Sequence, residues 1–403
     1  MSISRRGLLG AAAAALPITR AAAQAPKIRL GVLNDQSGPY RDVTGMTLVV
    51  CAQQAVQDFG AASRGLDVEV ISADHQNKPD IGAGIARQWY DDGVNLIVEV
   101  ANSGVALAVA GVAKDKNGVY LNSGAATSDL TGPQCNPNTV HWTYDTYMLA
   151  KSTGGALAKA GGATWFFITA DYAFGNALQR DTTDFVQAAG GKVVGSVKYP
   201  FPGTTDFSSL LLQAQSSGAK VLGIANAGAD TINTIKQSQE FGLNMTLAGL
   251  LLFISDVHSL GLDAAKGINL TDSFYWDLND RTRAFSERLK PAAPGRRPTM
   301  VHAGVYSSVA HYLKTASDMG IPAAKKDGAA TVARMKAIPT DDDCFGAGSI
   351  RIDGRKLCPS YLWQVKTPGE SKGPWDYYKP VASTPADQAF RPLDKGGCSL
   401  VKS

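Results

Sequence analysis

The stretch Ile28-Arg29-Leu30-Gly31-Val32 is a short β run, and the elements after it decide the fold. A glycine-bearing loop comes next, then a helical stretch from about Gly45 to Phe59. Val68–Ala73 reads as a second strand, followed by a helix over Pro79–Asp91 with proline at a first-turn position, where its missing N–H costs nothing. Leu96–Val100 and Val119–Asn122 are further short apolar strands, separated by the Ala/Val-rich helix Val105–Lys116. Regular alternation of strand and helix predicts a parallel sheet covered by helices on both faces.

A second series begins after Tyr144. Helix Thr146–Ala160 leads to strand Trp165–Thr169, helix Ala173–Ala189 and strand Lys192–Tyr199. Helix Phe207–Ser217, strand Val221–Ala225, helix Thr231–Phe241 and strand Met245–Leu250 continue it. This is a second α/β unit of similar plan, without a sequence repeat between the halves. Two more helices, near Thr282–Leu289 and Ala303–Met319, have no complete strand set of their own, so they must cover the first sheet. A hairpin of Ser349–Ile352 with Tyr361–Val365, turning at Asp353-Gly354, needs a sheet edge and is assigned to the second unit. From Pro368 onward the chain reads as an extended wrap.

The predicted class is therefore α/β, with two Rossmann-like lobes joined by a multi-crossover hinge. Lobe 1 takes residues 24–143 plus 277–338, lobe 2 takes 144–276 plus 339–380, and 381–403 form a C-terminal tail. Ligands of open α/β sheets sit at the carboxyl ends of strands. The loops expected to line a cleft are Asp35–Thr44, Ala101–Gly104, Ser123–Asp129, Ala170–Gly175, Asn226–Asp230, Leu251–Asp256 and Phe274–Asp277.

The start of the chain is of a different kind. Ser4-Arg5-Arg6-Gly7-Leu8-Leu9 is a twin-arginine pattern, Gly10–Leu16 is apolar, and Ala21-Ala22-Ala23 supply small residues before Gln24. Residues 1–23 are expected to be a removable Tat-like signal peptide that sends the protein to the periplasm. Its removal takes away Arg5, Arg6 and Arg20 and no acid, so the formal charge falls from +4 to +1. A near-neutral mature chain lacks the basic footprint of a nucleic-acid binder. No later segment approaches the roughly 20 apolar residues that span a bilayer. Five cysteines remain after cleavage, an odd count that leaves at least one thiol unpaired or used between chains. In the predicted hairpin Cys358 faces Ser349, which argues against a cross-strand bridge from Cys344 to Cys358.

Motifs placed along the predicted loops carry a family likeness. Ile28–Val32 followed by Gln36-Ser37-Gly38-Pro39-Tyr40 resembles the first strand and loop of the leucine/isoleucine/valine-binding type of periplasmic receptor. Asn102-Ser103, Ser123-Gly124-Ala125-Ala126-Thr127 with Leu130-Thr131, and Asp171-Tyr172-Ala173-Phe174-Gly175 add to it, in order along essentially all of the mature chain. The resemblance implies a type I periplasmic binding protein that closes on a small molecule and presents it to the permease subunits of an ABC importer. It also implies that Ser103, Ala125 and Thr127 hold a ligand carboxylate, and that Cys135 pairs with Cys398. Read as residues alone, Ser103 and Thr127 are either N-caps or anion contacts, because both precede helix or turn starts with free N–H groups. Asn226 and Asp230, at a helix start, either cap it or touch polar ligand atoms. Tyr40, Tyr172 and Trp276 are candidate walls for an apolar or aromatic ligand body.

One departure from the family bears on the ligand. Its amino-acid receptors place an acid after a strand of the second lobe to hold the ammonium. Here that stretch is Gly249-Leu250-Leu251-Leu252-Phe253-Ile254, without a carboxylate. A carboxylate ligand with an apolar or aromatic body is therefore expected in place of a free amino acid, unless Asp230 or Asp277 substitutes for the missing acid.

Catalysis finds little support. No G-x-G-x-x-G follows a strand, and there is no P-loop, G-x-S-x-G elbow or H-E-x-x-H. His75, His141, His258, His302 and His311 are scattered, and no cofactor or metal site is expected. The rival function is a periplasmic ligand sensor of the same fold acting on a membrane receptor; a secreted enzyme is a remote third.

Overall fold

The computed structural model describes residues 27–402; the expected leader at 1–23 lies outside the described residues. Two sheets form the frame. The first contains β1 (Lys27–Asn34), β2 (Asp67–Asp74), β3 (Leu96–Glu99), β4 (Val119–Asn122) and β5 (Thr139–His141), all parallel, in the order β2-β1-β3-β4-β5. The second contains β6 (Thr164–Ala170), β7 (Lys192–Tyr199), β8 (Val221–Ala225), β9 (Thr246–Gly249), β10 (Asn269–Asp272), β11 (Ser360–Val365) and β12 (Tyr378–Thr384). Its order is β12-β11-β10-β9-β8-β6-β7, parallel from β10 to β7 and antiparallel where β11 joins β10 and β12 joins β11.

Burial explains the strand sequences. Every residue of β3, β4 and β8 is buried, as central strands covered on both faces require. Edge strand β7, by contrast, alternates in burial with period two. In the first sheet Leu30, Val32, Leu96 and Val98 face a core shared with helices Thr47–Phe59 and Met300–Met319. Leu33, Ile97 and Tyr120 face the other layer, made by helices Pro79–Asp91 and Ser103–Asp115. The helices Asp280–Leu289 and Met300–Met319 do return to the first unit, where both pack on Thr47–Phe59.

The predicted hairpin is not formed as drawn. Segment 349–352 folds back only as far as a single bridge between Ile350 and Lys356, with the Leu357 N–H donating to the Ser349 carbonyl at 2.8 Å. Leu357, not Cys358, therefore stands opposite Ser349. Pro359 follows directly, and β11 pairs instead with β10, a strand whose one apolar residue does not stand out in the sequence. The tail is also more ordered than a wrap: β12 spans the boundary drawn at 380/381. It tolerates Pro380 because it is the sheet edge, where a missing N–H breaks no ladder.

The chain passes between the sheets after β5, after β10 and before β11. The first and third passages are laced together. The His141 N–H donates to the Gly354 carbonyl (2.9 Å) and the Lys356 N–H to the His141 carbonyl (3.0 Å). Arg355, fully buried, donates to the Thr143 and Lys356 carbonyls, lies 3.5 Å from Asp145 and sits over the Phe390 ring.

Cys135 and Cys398 are joined by a disulfide, Cα atoms 5.6 Å apart, closing a separation of 263 residues; Cys51, Cys344 and Cys358 are buried free thiols. Cross-linking so long a loop stabilises by about 2–5 kcal/mol. Cys398→Ser is expected to lower the thermal midpoint by several degrees. Native mature protein should show almost no thiol to a thiol reagent, and three equivalents once unfolded without reductant; rapid native labelling would contradict the burial.

Candidate functional site

In each sheet the strand order reverses at one point. β2 and β3 lie on opposite sides of β1, and β7 and β8 lie on opposite sides of β6. The carboxyl ends at these two reversals face each other, and a small cavity of about 20 Å³ lies between them. Tyr40, Val43 and Thr44 come from the loop after β1 and Ala101 from that after β3; Gly124 and Ala126 follow β4. The opposite wall is Tyr172 and Phe174 after β6, Ala227 after β8, and Leu251 and Phe253 after β9. Tyr144 and Val301 complete it, and among the described residues no lysine or arginine lines the cavity. Larger surface hollows, beside Asp341–Asp343 and beside Trp276, are open grooves; in the first, Arg281 is paired with Asp341 and Asp343.

The wall is fixed by the loop that follows β1. The Asp35 carboxylate accepts from the N–H groups of Gly38 (2.6 Å) and Tyr40 (2.9 Å) and from Asn77 Nδ2 (2.7 Å), pulling the loop over the strand ends. That places Tyr40 against the other lobe. Its ring stacks on Phe201 at 5.3 Å, Phe201 stacks on Tyr172 at 4.5 Å, and the Tyr40 and Tyr172 hydroxyls are hydrogen-bonded to each other. Burial pushes both phenols above their ordinary range, so both stay neutral. Beside them the Ala229 N–H donates to the Pro39 carbonyl at 3.1 Å.

Other candidates are placed differently from Tyr40 and Tyr172. Ser103 Oγ accepts from the Thr127 N–H (3.2 Å), Thr127 Oγ1 accepts from the Asp129 N–H (3.3 Å), and the Ala125 N–H is held by Asn122 Oδ1 (3.1 Å). All three residues are fully buried, and the wall itself is made by their neighbours Ala101, Gly124 and Ala126. The cap of helix Ser103–Asp115 is Asn102, whose Oδ1 accepts from Gly104 and Val105, so the Ser103 hydroxyl is not used as a cap. Asn226 is engaged within its own loop, by Thr231 (2.7 Å) and Thr234 (3.2 Å). Asp230 accepts from the Tyr199 hydroxyl at 2.7 Å, and burial pushes its pKa up to about 6.

Trp276 is not in the cavity wall. Its Nε1 donates to the Trp375 carbonyl (2.9 Å), and the Arg297 guanidinium covers its ring at 4.1 Å. The reason is topological: β10, which leads to it, lies beyond β9 and β8, away from the reversal at β6. Phe201, Tyr144 and Val301 escaped the sequence reading, whereas Val43 was covered by its loop, Asp35–Thr44. Phe201 and Val301 belong to segments whose position over the cleft depends on tertiary packing.

Two α/β units with facing switch points, several chain passages and an aromatic cavity between them define the type I periplasmic binding fold. The chain matches the periplasmic binding protein family over residues 27–374 and belongs to it. It is 47% identical to a periplasmic binding protein of Burkholderia mallei, covering 94% of this chain and 100% of that one with a TM-score of 0.89. It is 39% identical to a branched-chain amino acid ABC transporter periplasmic ligand-binding protein of Burkholderia xenovorans LB400 (93% and 99% covered, TM-score 0.80). An ABC transporter solute-binding protein of R. palustris, solved in complex with benzoate, shares the fold at 20% identity (93% and 99% covered, TM-score 0.81).

Closure leaves no room at Gly228. Its φ is +60°, and a Cβ there would stand 2.7 Å from the Pro39 carbonyl oxygen across the cleft. Gly228→Ala is expected to wedge the lobes apart. With a ligand that closes the wild type, the variant should keep the larger radius of gyration and bind about tenfold or more weakly, some 1.4 kcal/mol; equal radii would contradict the contact.

Asp272, at the end of β10, is buried and pushed up to about 8 by desolvation. The folded chain then keeps a proton that the unfolded chain has lost. This contribution is fully present below about pH 4 and is lost as pH rises through 8. Asp272→Asn, which keeps the acceptor for the Phe274 N–H (3.0 Å), should match wild-type stability near pH 4 and exceed it increasingly toward pH 8 in thermal melts.

Proposed function

We propose that the protein is the solute-capturing subunit of an ABC importer, exported to the periplasm, which closes over a small carboxylate with an apolar or aromatic body and hands it to the permease. The observation that carries this reading is the cavity itself. It lies at two facing switch points and is walled by Tyr40, Tyr144, Tyr172, Phe174 and Phe253. Aromatic faces with few polar groups suit a planar apolar ligand. The lobe 2 wall supports an acid over a free amino acid, because Leu251 and Phe253 stand there without a carboxylate for an ammonium group. The carboxylate end is assigned to the loops of Ser103 and Thr127, which stand next to the wall residues Ala101 and Ala126 and are joined to each other through the Thr127 N–H and Ser103 Oγ. The R. palustris protein solved with benzoate makes benzoate-type acids the first to test.

The mechanism is a population shift. A ligand that touches both lobes only in the closed form favours that form by its differential affinity. Isothermal titration should give binding to benzoate-type acids and none to leucine, and small-angle scattering should register a smaller radius of gyration with the acid. Tight leucine binding with no response to any aromatic acid would overturn the ligand class.

A further inference from the structure

Glu99 is an acid beside this cavity whose carboxyl has no evident partner. It ends β3 with the carboxyl fully buried, and neither Oε1 nor Oε2 has a hydrogen-bond partner among the described residues. The other buried acids are all satisfied. Asp35 takes three donors, Asp145 the Met148 N–H, Asp181 the Ser128 and Thr146 hydroxyls, and Asp230 the Tyr199 hydroxyl. Asp256 takes the Phe253 N–H, Asp272 the Phe274 N–H, and Asp353 is held by Arg351 and the Arg355 N–H. Native chains partner buried polar groups almost without exception, so an orphaned carboxyl needs a reason.

Its position supplies one. The carboxyl lies directly behind Gly124, a residue of the cavity wall, without itself lining the cavity. A Cβ on Gly124 would fall 1.9 Å from Oε1, so only a glycine there leaves the carboxyl its space. The backbone is also held in an unfavourable shape: Glu99 and Val100 have φ of +85° and +71°, a region that β-branched valine rarely enters. The strain is fixed by the Val100 N–H donating to the Leu33 carbonyl (2.9 Å) and the Tyr120 hydroxyl donating to the Glu99 carbonyl (3.1 Å). Such strain persists where surrounding structure over-determines it, commonly at ligand sites. Burial drives the carboxyl toward its protonated form and nearby Asp35 adds to the effect. The amides of Val100 and Ala101 oppose it, but neither completes a hydrogen bond to the carboxyl.

We infer that Glu99 is a specificity-determining residue of the cleft, whose carboxyl accepts a hydrogen bond from an O–H or N–H group on the body of the bound acid. The inference rests on the proposed capture of a small acid in this cavity. A site built around a polar group discriminates strongly against a ligand that leaves it unpaired. Hydroxyl- and amino-substituted ligands carry the same donor chemistry and are separated by the test.

The test is titration of the mature wild type and of Glu99→Gln and Glu99→Leu with benzoate, its hydroxy-substituted and its amino-substituted forms, alongside thermal melts of each unliganded variant. Wild type should bind at least one donor-bearing acid about tenfold or more tightly than benzoate. The better of the hydroxy and amino series identifies the donor. Glu99→Gln, which keeps a carbonyl acceptor, should retain part of that preference, and Glu99→Leu should lose it. The unliganded melting midpoint of Glu99→Leu should stay level or rise, since an unpartnered carboxyl has been removed; a carboxyl with a merely structural role would give a lower midpoint. A preference for donor-bearing acids that survives in Glu99→Leu, or no preference in wild type, overturns the assignment while leaving acid capture intact. If no member of the series binds wild type, the capture reading fails and the assignment with it.

Discussion

Exclusion of water from the place where the two sheets meet is the constraint on which the rest depends. Polar groups there lose hydration when the lobes close, and each needs a replacement partner. The chain supplies most of them from itself. The Tyr40 and Tyr172 hydroxyls satisfy one another, Tyr199 and Asp230 form a second pair, and the Tyr144 hydroxyl donates to the Gly124 carbonyl at 2.6 Å. What these pairs leave facing the cavity is largely ring and methyl surface. An apolar ligand body can therefore be enclosed without stranding a hydroxyl, and shape and carbon contact govern the fit over most of the wall.

The same need for partners shapes the hinge. The segments crossing between the lobes satisfy their backbone groups where the first sheet's ladder ends, the third passage bridging onto the free edge of β5. The first and third passages do this through His141, Gly354 and Lys356, and the Arg355 guanidinium adds donors to the carbonyls of Thr143 and Lys356. A buried cation is costly to desolvate, and Asp145 beside it offsets part of that cost. In return the passages are held in register where the lobes join. The disulfide at Cys135–Cys398 brings the tail to the same side: Arg391 reaches Ser128 and lies over the Tyr147 ring.

The frame was legible because its long helices and buried apolar runs announce themselves by period and length. β5, β10 and β12 were not. The first two, Thr139–His141 and Asn269–Asp272, carry one apolar residue each and so lack the apolar run that marks the equally short β3 and β4, and β12 carries a proline and a mostly exposed face. The site was legible at the loop level and less so at the residue level. Six of the seven predicted loops supply the wall; the seventh, at Phe274–Asp277, is removed from it by sheet order. Ser103 and Thr127 each presented two readings: Asn102, one residue earlier, takes the cap of the Ser103 helix, whereas Thr127 does cap the short turn at 128–131 through its Oγ1. Glu99 carried no signal at all. At the end of Leu96-Ile97-Val98 a single acid reads as the polar terminus of a strand, and its burial follows from the fold of residues far away in sequence.

Under the proposed function, a receptor that must both hold and deliver a solute cannot derive closure from the ligand alone or from itself alone. Contacts such as Tyr40–Phe201–Tyr172 and Ala229–Pro39 are made by protein to protein, and they favour the closed form whether or not a ligand is present. They reduce the differential affinity that the ligand has to supply. Made too strong, they would close the empty cleft and slow entry. A carboxyl left without a partner on closing works in the opposite direction. It penalises the empty closed form, and it does so most when the ligand lacks the group that would satisfy it. Under the proposed function and the role inferred for Glu99, attraction at the rim and an unmet need beside the cavity wall together tie closure to the right cargo, so that the same movement that traps the ligand also tests it.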